Sequence, residues 1–230
     1  MTAGAPTEGA AITRALRRLL SAPVGRARAY QWLQRTVGQE RLLKRFVDEA
    51  LRLRAGDRVL DVGCGPADVR AAMPDGVHYT GVEPHAPYRE GARRRFGATI
   101  ELRDERVEDL PLDRVFDRVL LMGVLHHVDD HSARQLLRAC MARRARGGAV
   151  VLLEPCPRPG RGWFEQQLYA IDRGRFVRTH AELTALIVAE AAQARIEVWP
   201  QMLRVPYTYA VVTIGDPGAE AEHRPTTADI

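Results

Sequence analysis

The residues with the clearest chemical potential lie in the segment VLDVGCGPAD at 59–68, where an apolar run leads into a loop of small residues. Small residues let the backbone approach a ligand closely at the carboxyl edge of a sheet. Asp61 stands immediately before the loop, and Glu83 follows 22 residues later, at the end of the next apolar run. An acid at that second position can accept both hydroxyls of a ribose. The spacing therefore predicts a nucleoside-binding site.

A dinucleotide is the rival ligand for such a loop, because G-x-G-x-x-G motifs bind pyrophosphate at a helix N-terminus. The third glycine of that motif would stand at position 68, which is Asp68, and a carboxylate there would repel a pyrophosphate. Asp61 is equally unfavourable beside a diphosphate but well placed beside an ammonium group. The predicted ligand is a nucleoside with a cationic, amino-acid-like tail, a description that S-adenosylmethionine (SAM) fits.

Three motifs resemble the class I SAM-dependent methyltransferases of the small-molecule, bacterial type: the run at 61–65, Glu83, and GVLHHVDD at 123–130. The resemblance extends over about residues 40–155. Weaker similarity further along, at 172–179 and 203–208, is to a group of poorly characterised bacterial methyltransferases often linked to cell-surface glycans or secondary metabolites.

The resemblance implies that the loop binds the methionine part of SAM, that Glu83 binds the ribose hydroxyls and that residues before Glu108 contact adenine. The implied cofactor-binding set is Asp61, Gly63, Cys64, Gly65, Glu83, Pro84, Arg106, Val107, Met122 and Gly123. Two positions depart from the family pattern. Ala67 replaces the third glycine of the loop, and Arg106 replaces the acid that often pairs with the adenine amino group, which leaves the Val107 amide to serve adenine.

Methyl transfer from a sulfonium is an in-line displacement, so alignment of the reactants supplies much of the rate. A general base helps further if the acceptor is a hydroxyl. His126 and His127 follow the fourth apolar run and are the predicted candidates for that base. The alternative is that they only shape the loop and the helix after it.

The acceptor is expected between an N-terminal helical cap and an insertion after the fifth strand. Residues predicted to bind it are Tyr30, Trp32, Glu154, Tyr169, Arg175 and Arg178. The arginines suit a carboxylate or phosphate on the acceptor, or else belong to a solvated loop. Glu154 orients the acceptor or a cation, or else is hydrogen-bonded only to backbone. The aromatic residues line an apolar pocket or else belong to the core.

Short apolar runs alternate with helical segments, which predicts an α/β fold with a seven-stranded, Rossmann-like, mostly parallel sheet and helices on both faces. The predicted strands are 59–60, 79–82, 99–102, 115–122, 149–153, 195–199 and 207–214. Only 200–206 separates the last two, too short for a crossover helix, so they should form an antiparallel hairpin. The expected organisation is a disordered start (1–11), the helical cap (12–54), a SAM-binding domain (55–214) with an acceptor-side insertion at about 156–180, and a disordered tail (215–230).

The composition argues against several classes of protein. No apolar run approaches the ~20 residues that a membrane helix needs. The net charge of +5 comes from arginines interspersed with 29 acids, which argues against a nucleic-acid-binding track. The three cysteines contain no C-x-x-C pair, so we expect neither a disulfide framework nor a metal site. A cytoplasmic monomer or homodimer acting on a small molecule is the expectation.

The leading functional hypothesis is SAM-dependent methylation of a small metabolite, with oxygen as the expected acceptor atom and carbon or nitrogen as the alternatives. One alternative is methylation of RNA or another macromolecule, which predicts binding that weakens steeply with salt. Another is a cyclase or regulatory protein that binds SAM without methylating.

Overall fold

The computed structural model describes residues 38–158, 160, 169, 175–200 and 207–215, and within them the chain forms one seven-stranded sheet. The strands are β1 (Arg58–Val62), β2 (His78–Val82), β3 (Ile100–Arg103), β4 (Phe116–Met122), β5 (Arg144–Pro155), β6 (Arg195–Trp199) and β7 (Tyr209–Ile214). Their order is β3-β2-β1-β4-β5-β7-β6. Pairing is parallel from β3 to β5, whereas β7 is antiparallel to both β5 and β6. The predicted sheet and its antiparallel final hairpin are confirmed.

Helices cover both faces of this sheet, as predicted. The α-helices are α1 (Gln39–Arg45), α2 (Ala86–Phe96), α3 (Asp130–Ala142) and α4 (His180–Glu190). A π-helix (Phe46–Leu51) continues α1, and 3-10 helices occupy Asp68–Ala72, Gly97–Thr99, Val107–Asp109 and Leu125–His127. One core packs α3 and α4 against the sheet, and the other packs α1, the π-helix and α2 against the opposite face.

Local sequence explains where the helices beside the site begin. The Asp129 side chain accepts a hydrogen bond from Ser132 N at 2.8 Å and caps α3. Thr179 and Glu182 form a reciprocal capping box that starts α4. The sequence predicts both caps, with Asp129 or Asp130 before the first helix and Thr179 before the second. It predicts that these helices end at about Arg144 and at Ala192, and each observed helix ends two residues earlier.

Parts of the predicted organisation lie outside the described residues. These are 1–37, which include Tyr30 and Trp32, most of the insertion at 156–180, and the tail after Gly215. The described end of the predicted cap, from residue 38 onward, is helical and packs on the sheet. Among the residues described, we find no helix with the length and apolarity to cross a membrane.

The strand order reverses between β1 and β4, since β2 and β3 lie to one side and β5 to the other. In open α/β sheets, ligands bind at the carboxyl ends of the strands at this kind of switch point. The loops after β1, β2 and β4 all begin at this edge, which brings the candidate residues together.

Candidate functional site

The loop after β1 is held in a shape that small residues allow. Gly63, Gly65 and Ala67 all have positive φ, of 68°, 54° and 58°. Gly63 N donates to the Val82 carbonyl at 2.9 Å and ties the loop to the end of β2. A Cβ on Gly65 would meet no atom of the described chain within 4 Å, so this peptide borders open space. Alanine at position 67 keeps the turn, although it adopts a left-handed conformation.

Glu83 links this loop to β2 through both carboxylate oxygens. Its Oε2 accepts from Gly65 N at 3.0 Å, and its Oε1 accepts from His85 N at 2.8 Å. A carboxylate offers about four acceptor sites, so each oxygen retains capacity for another donor. The side chain is therefore fixed in position with acceptor sites still available for two hydroxyls.

Asp61 lies at the end of β1 with only 1% of its surface exposed. Tyr79 on β2 donates a hydrogen bond from its hydroxyl to Asp61 Oδ2 at 2.5 Å. Burial raises the pKa of Asp61 to about 7; the Tyr79 bond opposes this rise, while the carboxylates of Glu83 and Asp68 add to it. A buried acid among other acids is a favourable receptor for a cation.

Tyr79 is a residue that sequence reasoning missed, because it stands within an apolar strand. The signal that could have identified Tyr79 is the register between β1 and β2. Asp61 pairs with Gly81 across the two parallel strands, and Tyr79 lies two positions before Gly81 on the same face. A tyrosine at this offset can reach along the strand to the acid.

The predicted adenine contacts lie after β3. The Arg106 side chain is 72% exposed and pairs with Glu108 at 3.2 Å. Val107 is buried and is the first residue of a 3-10 helix. Within the described chain, the N-cap residue of this helix, Arg106, makes no side-chain capping hydrogen bond. The first N–H of a helix has no intrahelical acceptor. This placement suits the Val107 amide as a contact for a ligand.

The remaining predicted cofactor contacts are Cys64, Pro84, Met122 and Gly123. Met122 ends β4, and Gly123 follows with φ of 66° and donates from its N to the Leu153 carbonyl at 2.8 Å. Cys64 is buried in the loop, whereas Pro84 is exposed. The predicted cofactor-binding residues thus lie at the carboxyl ends of β1, β2 and β4 and in the segment after β3.

The loop after β4 is anchored by Glu154, which is 2% exposed at the end of β5. Its Oε1 accepts from Val124 N and Leu125 N, both at 2.8 Å. Its Oε2 lies 3.3 Å from His126 N and 2.9 Å from His126 Nδ1. Side chains alternate along β5, with Leu152 in the core beside α3 and Leu153 in the opposite core, so Glu154 faces α3. Asp61, by the same alternation in β1, lies on the other face of the sheet.

Arg178 lies just before α4 and binds carbonyl groups of the same loop, the one after β4. Its guanidinium donates to the carbonyls of Leu125 at 2.7 Å and Val128 at 2.9 Å, and to Asp130 Oδ1 at 2.9 Å. Glu154 thus binds N–H groups of the loop while Arg178 binds its C=O groups. We call this arrangement, Glu154 and Arg178 around residues 124–130, the loop clamp. Both side chains therefore have backbone partners, and Glu154 has a side-chain partner as well, the ring of His126.

The two histidines occupy different environments. His126 is buried with its ring held by Glu154, and His127 is exposed with its ring centroid 4.1 Å from that of His126. Arg175 is exposed, and Tyr169 is buried with its hydroxyl bonded to the backbone of Thr208. Within the described chain, no group of three His, Cys, Asp or Glu residues could hold a metal ion.

Comparisons with known proteins agree with this geometry. A family model described as a methyltransferase domain matches residues 59–148. The ubiquinone biosynthesis O-methyltransferase of Bordetella avium (strain 197N) is 31% identical over 163 residues, covering 66% of this chain and 67% of that protein. The enzyme of the same description from Xanthomonas euvesicatoria pv. vesicatoria (strain 85-10) is 34% identical over 113 residues, covering 46% of each chain. For that relative and several others, the match spans about half of their length.

A solved structure shows the same fold at low sequence identity. The plantazolicin methyltransferase BpumL, in complex with a triazolic desmethylPZN analog and SAH, has a TM-score of 0.63 at 12% identity. The likeness covers 89% of this chain and 96% of that one. Fold, motif positions and relatives agree: the chain belongs to the class I SAM-dependent methyltransferases.

Proposed function

We propose that this chain binds SAM at the edge formed by β1, β2 and β4 and transfers the methyl group to a small-molecule acceptor. We further propose a hydroxyl oxygen of a natural-product or glycan-type metabolite as the acceptor atom. The observation that carries the proposal is the glycine loop bonded to Glu83 between Gly65 N and Oε2. The O-methyltransferase descriptions of the relatives support oxygen as the acceptor atom.

The residues at this edge fit the chemical groups of SAM. Glu83 has acceptor capacity for the ribose hydroxyls, Asp61 offers a buried acid to the ammonium group, and Gly65 leaves open space beside the loop. When bound, SAM supplies a methyl group already activated by its sulfonium.

We propose that His126 accepts the proton of an acceptor hydroxyl. Glu154 is surrounded by donors, so Nδ1 of His126 carries the hydrogen that it donates to Oε2. The ring lone pair of this tautomer is on Nε2, and we propose Nε2 as the atom that accepts the proton. A base of this kind contributes about 10²–10⁴-fold to the rate. We assign this role to His126, because the buried carboxylate of Glu154 orients its ring.

Calorimetric titration with SAM and with NAD tests the cofactor assignment. We expect SAM to bind and NAD to give no signal, and we expect Glu83→Ala to weaken SAM binding by about 100-fold through loss of charged hydrogen bonds. Glu101→Ala is the matched control, since Glu101 lies on neighbouring β3 and pairs with Arg114 at the surface. Failure of the wild-type protein to bind SAM would overturn the proposal.

Turnover is tested by incubating the protein with SAM and a panel of hydroxylated metabolites. A methyltransferase produces an acceptor heavier by one methyl group together with SAH, and both are measured by mass spectrometry. If SAM stays bound and is never consumed with any acceptor class, the chain is a binding protein and the catalytic part of the proposal is wrong.

A further inference from the structure

Asp61 and Tyr79 form a buried acid–phenol pair beside the cofactor loop. The two side chains come from adjacent parallel strands, are 1% and 3% exposed, and share the 2.5 Å hydrogen bond. Such a pair cannot gain or lose charge cheaply, because water does not solvate the charged form. Its protonation state is therefore set by what is bound against it.

The groups around Asp61 add negative charge or none. Glu83 and Asp68 are both close enough to disfavour its carboxylate, and Cys64 is a protonated, buried thiol. The charge of Asp68 is itself partly satisfied by Arg95 at 2.5 Å. An incoming cation would therefore relieve the electrostatic repulsion that Glu83 and Asp68 exert on the carboxylate of Asp61.

The other elements near Asp61 face it with apolar residues. On β4 its partner in register is Leu120. The π-helix that covers the same face of the sheet buries Phe46, Val47, Ala50 and Leu51, while its acids Asp48 and Glu49 are exposed. β4 also carries a buried cation on this face, Arg118, two positions before Leu120, and its guanidinium donates to the carbonyls of Leu51 at 2.8 Å and Asp117 at 2.7 Å.

We propose that Asp61 and Tyr79 form a proton-coupled receptor for the ammonium group of the ligand, in which binding of the cation expels a proton from Asp61. Tyr79 is the positioning residue, since its hydroxyl stabilises the carboxylate that the cation requires. The inference rests on the proposed function, because it takes SAM and its product SAH as the ligands. The balance is simple: the O–H bond of Asp61 breaks, the proton passes to the buffer, and the carboxylate pairs with the ammonium group.

Proton release makes the affinity depend on pH. With a pKa of about 7 in the free protein, Asp61 is largely protonated in mild acid and must ionise before it pairs with the cation. The association constant of SAH should then fall about tenfold for each pH unit below about 7. Between about pH 7.5 and about pH 5.5 the expected loss is about 20-fold. At about pH 7, about half a proton should be released for each ligand bound.

Replacing Tyr79 by phenylalanine should shift the pH profile of SAH affinity to higher pH. Phenylalanine fills the space of Tyr79 but donates no hydrogen bond, so the carboxylate form of Asp61 becomes less favourable. The midpoint of the pH profile should rise by about one to two units, which weakens SAH binding at about pH 7.5 by about 3- to 25-fold. A side chain with a purely structural role would change the affinity without moving the midpoint.

The experiment is calorimetry with SAH from about pH 5.5 to about pH 7.5, in buffers of different ionisation enthalpy. 5′-Methylthioadenosine, the same nucleoside without the amino-acid tail, is the control ligand and should bind independently of pH. Thr80→Val is the matched control variant for Tyr79→Phe, since Thr80 is the next residue on β2 and its buried hydroxyl bonds another acid, Glu101, at 3.3 Å. Asp61→Asn should bind SAH weakly at every pH, and it tests the proposal independently of how Tyr79→Phe folds.

The outcomes separate this inference from the proposed function. SAH affinity that does not change with pH in the wild-type protein would overturn the proton-coupled receptor and leave the cofactor site standing. An unchanged midpoint in Tyr79→Phe would remove the role of Tyr79. If neither SAH nor 5′-methylthioadenosine binds at any pH, the cofactor site itself is wrong.

Discussion

Replacing Glu154 by glutamine changes one atom of the loop clamp from acceptor to donor. If the amide oxygen keeps the bonds to Val124 N and Leu125 N, the amide NH₂ faces His126 N, which is a donor, and His126 Nδ1, to which the proposed tautomer assigns the hydrogen. The imidazole can adapt by moving its hydrogen to Nε2, so that Nδ1 accepts from the amide. The backbone N–H of His126 then has no acceptor.

The expected cost follows from these contacts. Hydrogen bonds to a charged acceptor contribute about 1.5–3 kcal/mol, and a buried donor without an acceptor costs about 1–3 kcal/mol. We therefore expect Glu154→Gln to lower the free energy of unfolding by about 2–4 kcal/mol. The tautomer change also removes the lone pair from Nε2, so kcat should fall about 10²–10⁴-fold once an acceptor is known.

Urea denaturation measures the stability, and ¹⁵N NMR of labelled histidine identifies which ring nitrogen carries the hydrogen. Glu182→Gln is the matched control. Glutamine serves equally well in a capping box, so the same substitution there should change the unfolding free energy by less than about 0.5 kcal/mol. A loss below about 1 kcal/mol in Glu154→Gln, with the tautomer of His126 unchanged, would refute the clamp as we describe it.

Three further substitutions have expected outcomes that urea denaturation can check. Arg178→Met removes the other half of the clamp and should lower the unfolding free energy by about 2–4 kcal/mol, with SAH affinity retained. Since the pKa of Asp61 rises from 3.8 to about 7 on folding, wild-type stability should fall as the pH increases between these values. Asp61→Asn should therefore be more stable than the wild type at about pH 8, by up to about 4 kcal/mol, although it binds SAH poorly. Gly81→Ala would place a Cβ 2.6 Å from Cys64 Sγ and should cost about 1–3 kcal/mol, partly restored by Cys64→Ala.

Most of the fold could be predicted because its signals are local. Apolar runs of strand length identified each strand, and the short connection 200–206 identified the antiparallel pair β6 and β7. Asp129 and Thr179 cap helices through side chains within three residues of their partners, so their roles are visible in the sequence.

The loop clamp could not be predicted in the same way. The partners of Glu154 are backbone N–H groups about 30 residues away, and those of Arg178 are carbonyls about 50 residues away. Every residue carries these groups, so nothing in the sequence distinguishes the ones that bind. The sequence suggested acceptor contacts for Glu154 and Arg178, and the structure adds backbone partners that the sequence could not reveal. The proposed preference for His126 over His127 rests on a contact of the same long range, that between His126 and Glu154.

The reaction rates of the three cysteines, Cys64, Cys140 and Cys156, can report how often the structure around each of them opens. All three are free and buried. Burial raises the pKa of each thiol, to about 11 for Cys156. The thiolate is the form that attacks alkylating reagents, so the native state should react slowly, and the labelling rate at each cysteine should measure how often its surroundings open. Cys64 lies in the loop after β1, and Cys140 lies in α3. If a ligand slows labelling at Cys64 but not at Cys140, the labelling of Cys64 reports local opening of that loop rather than global unfolding.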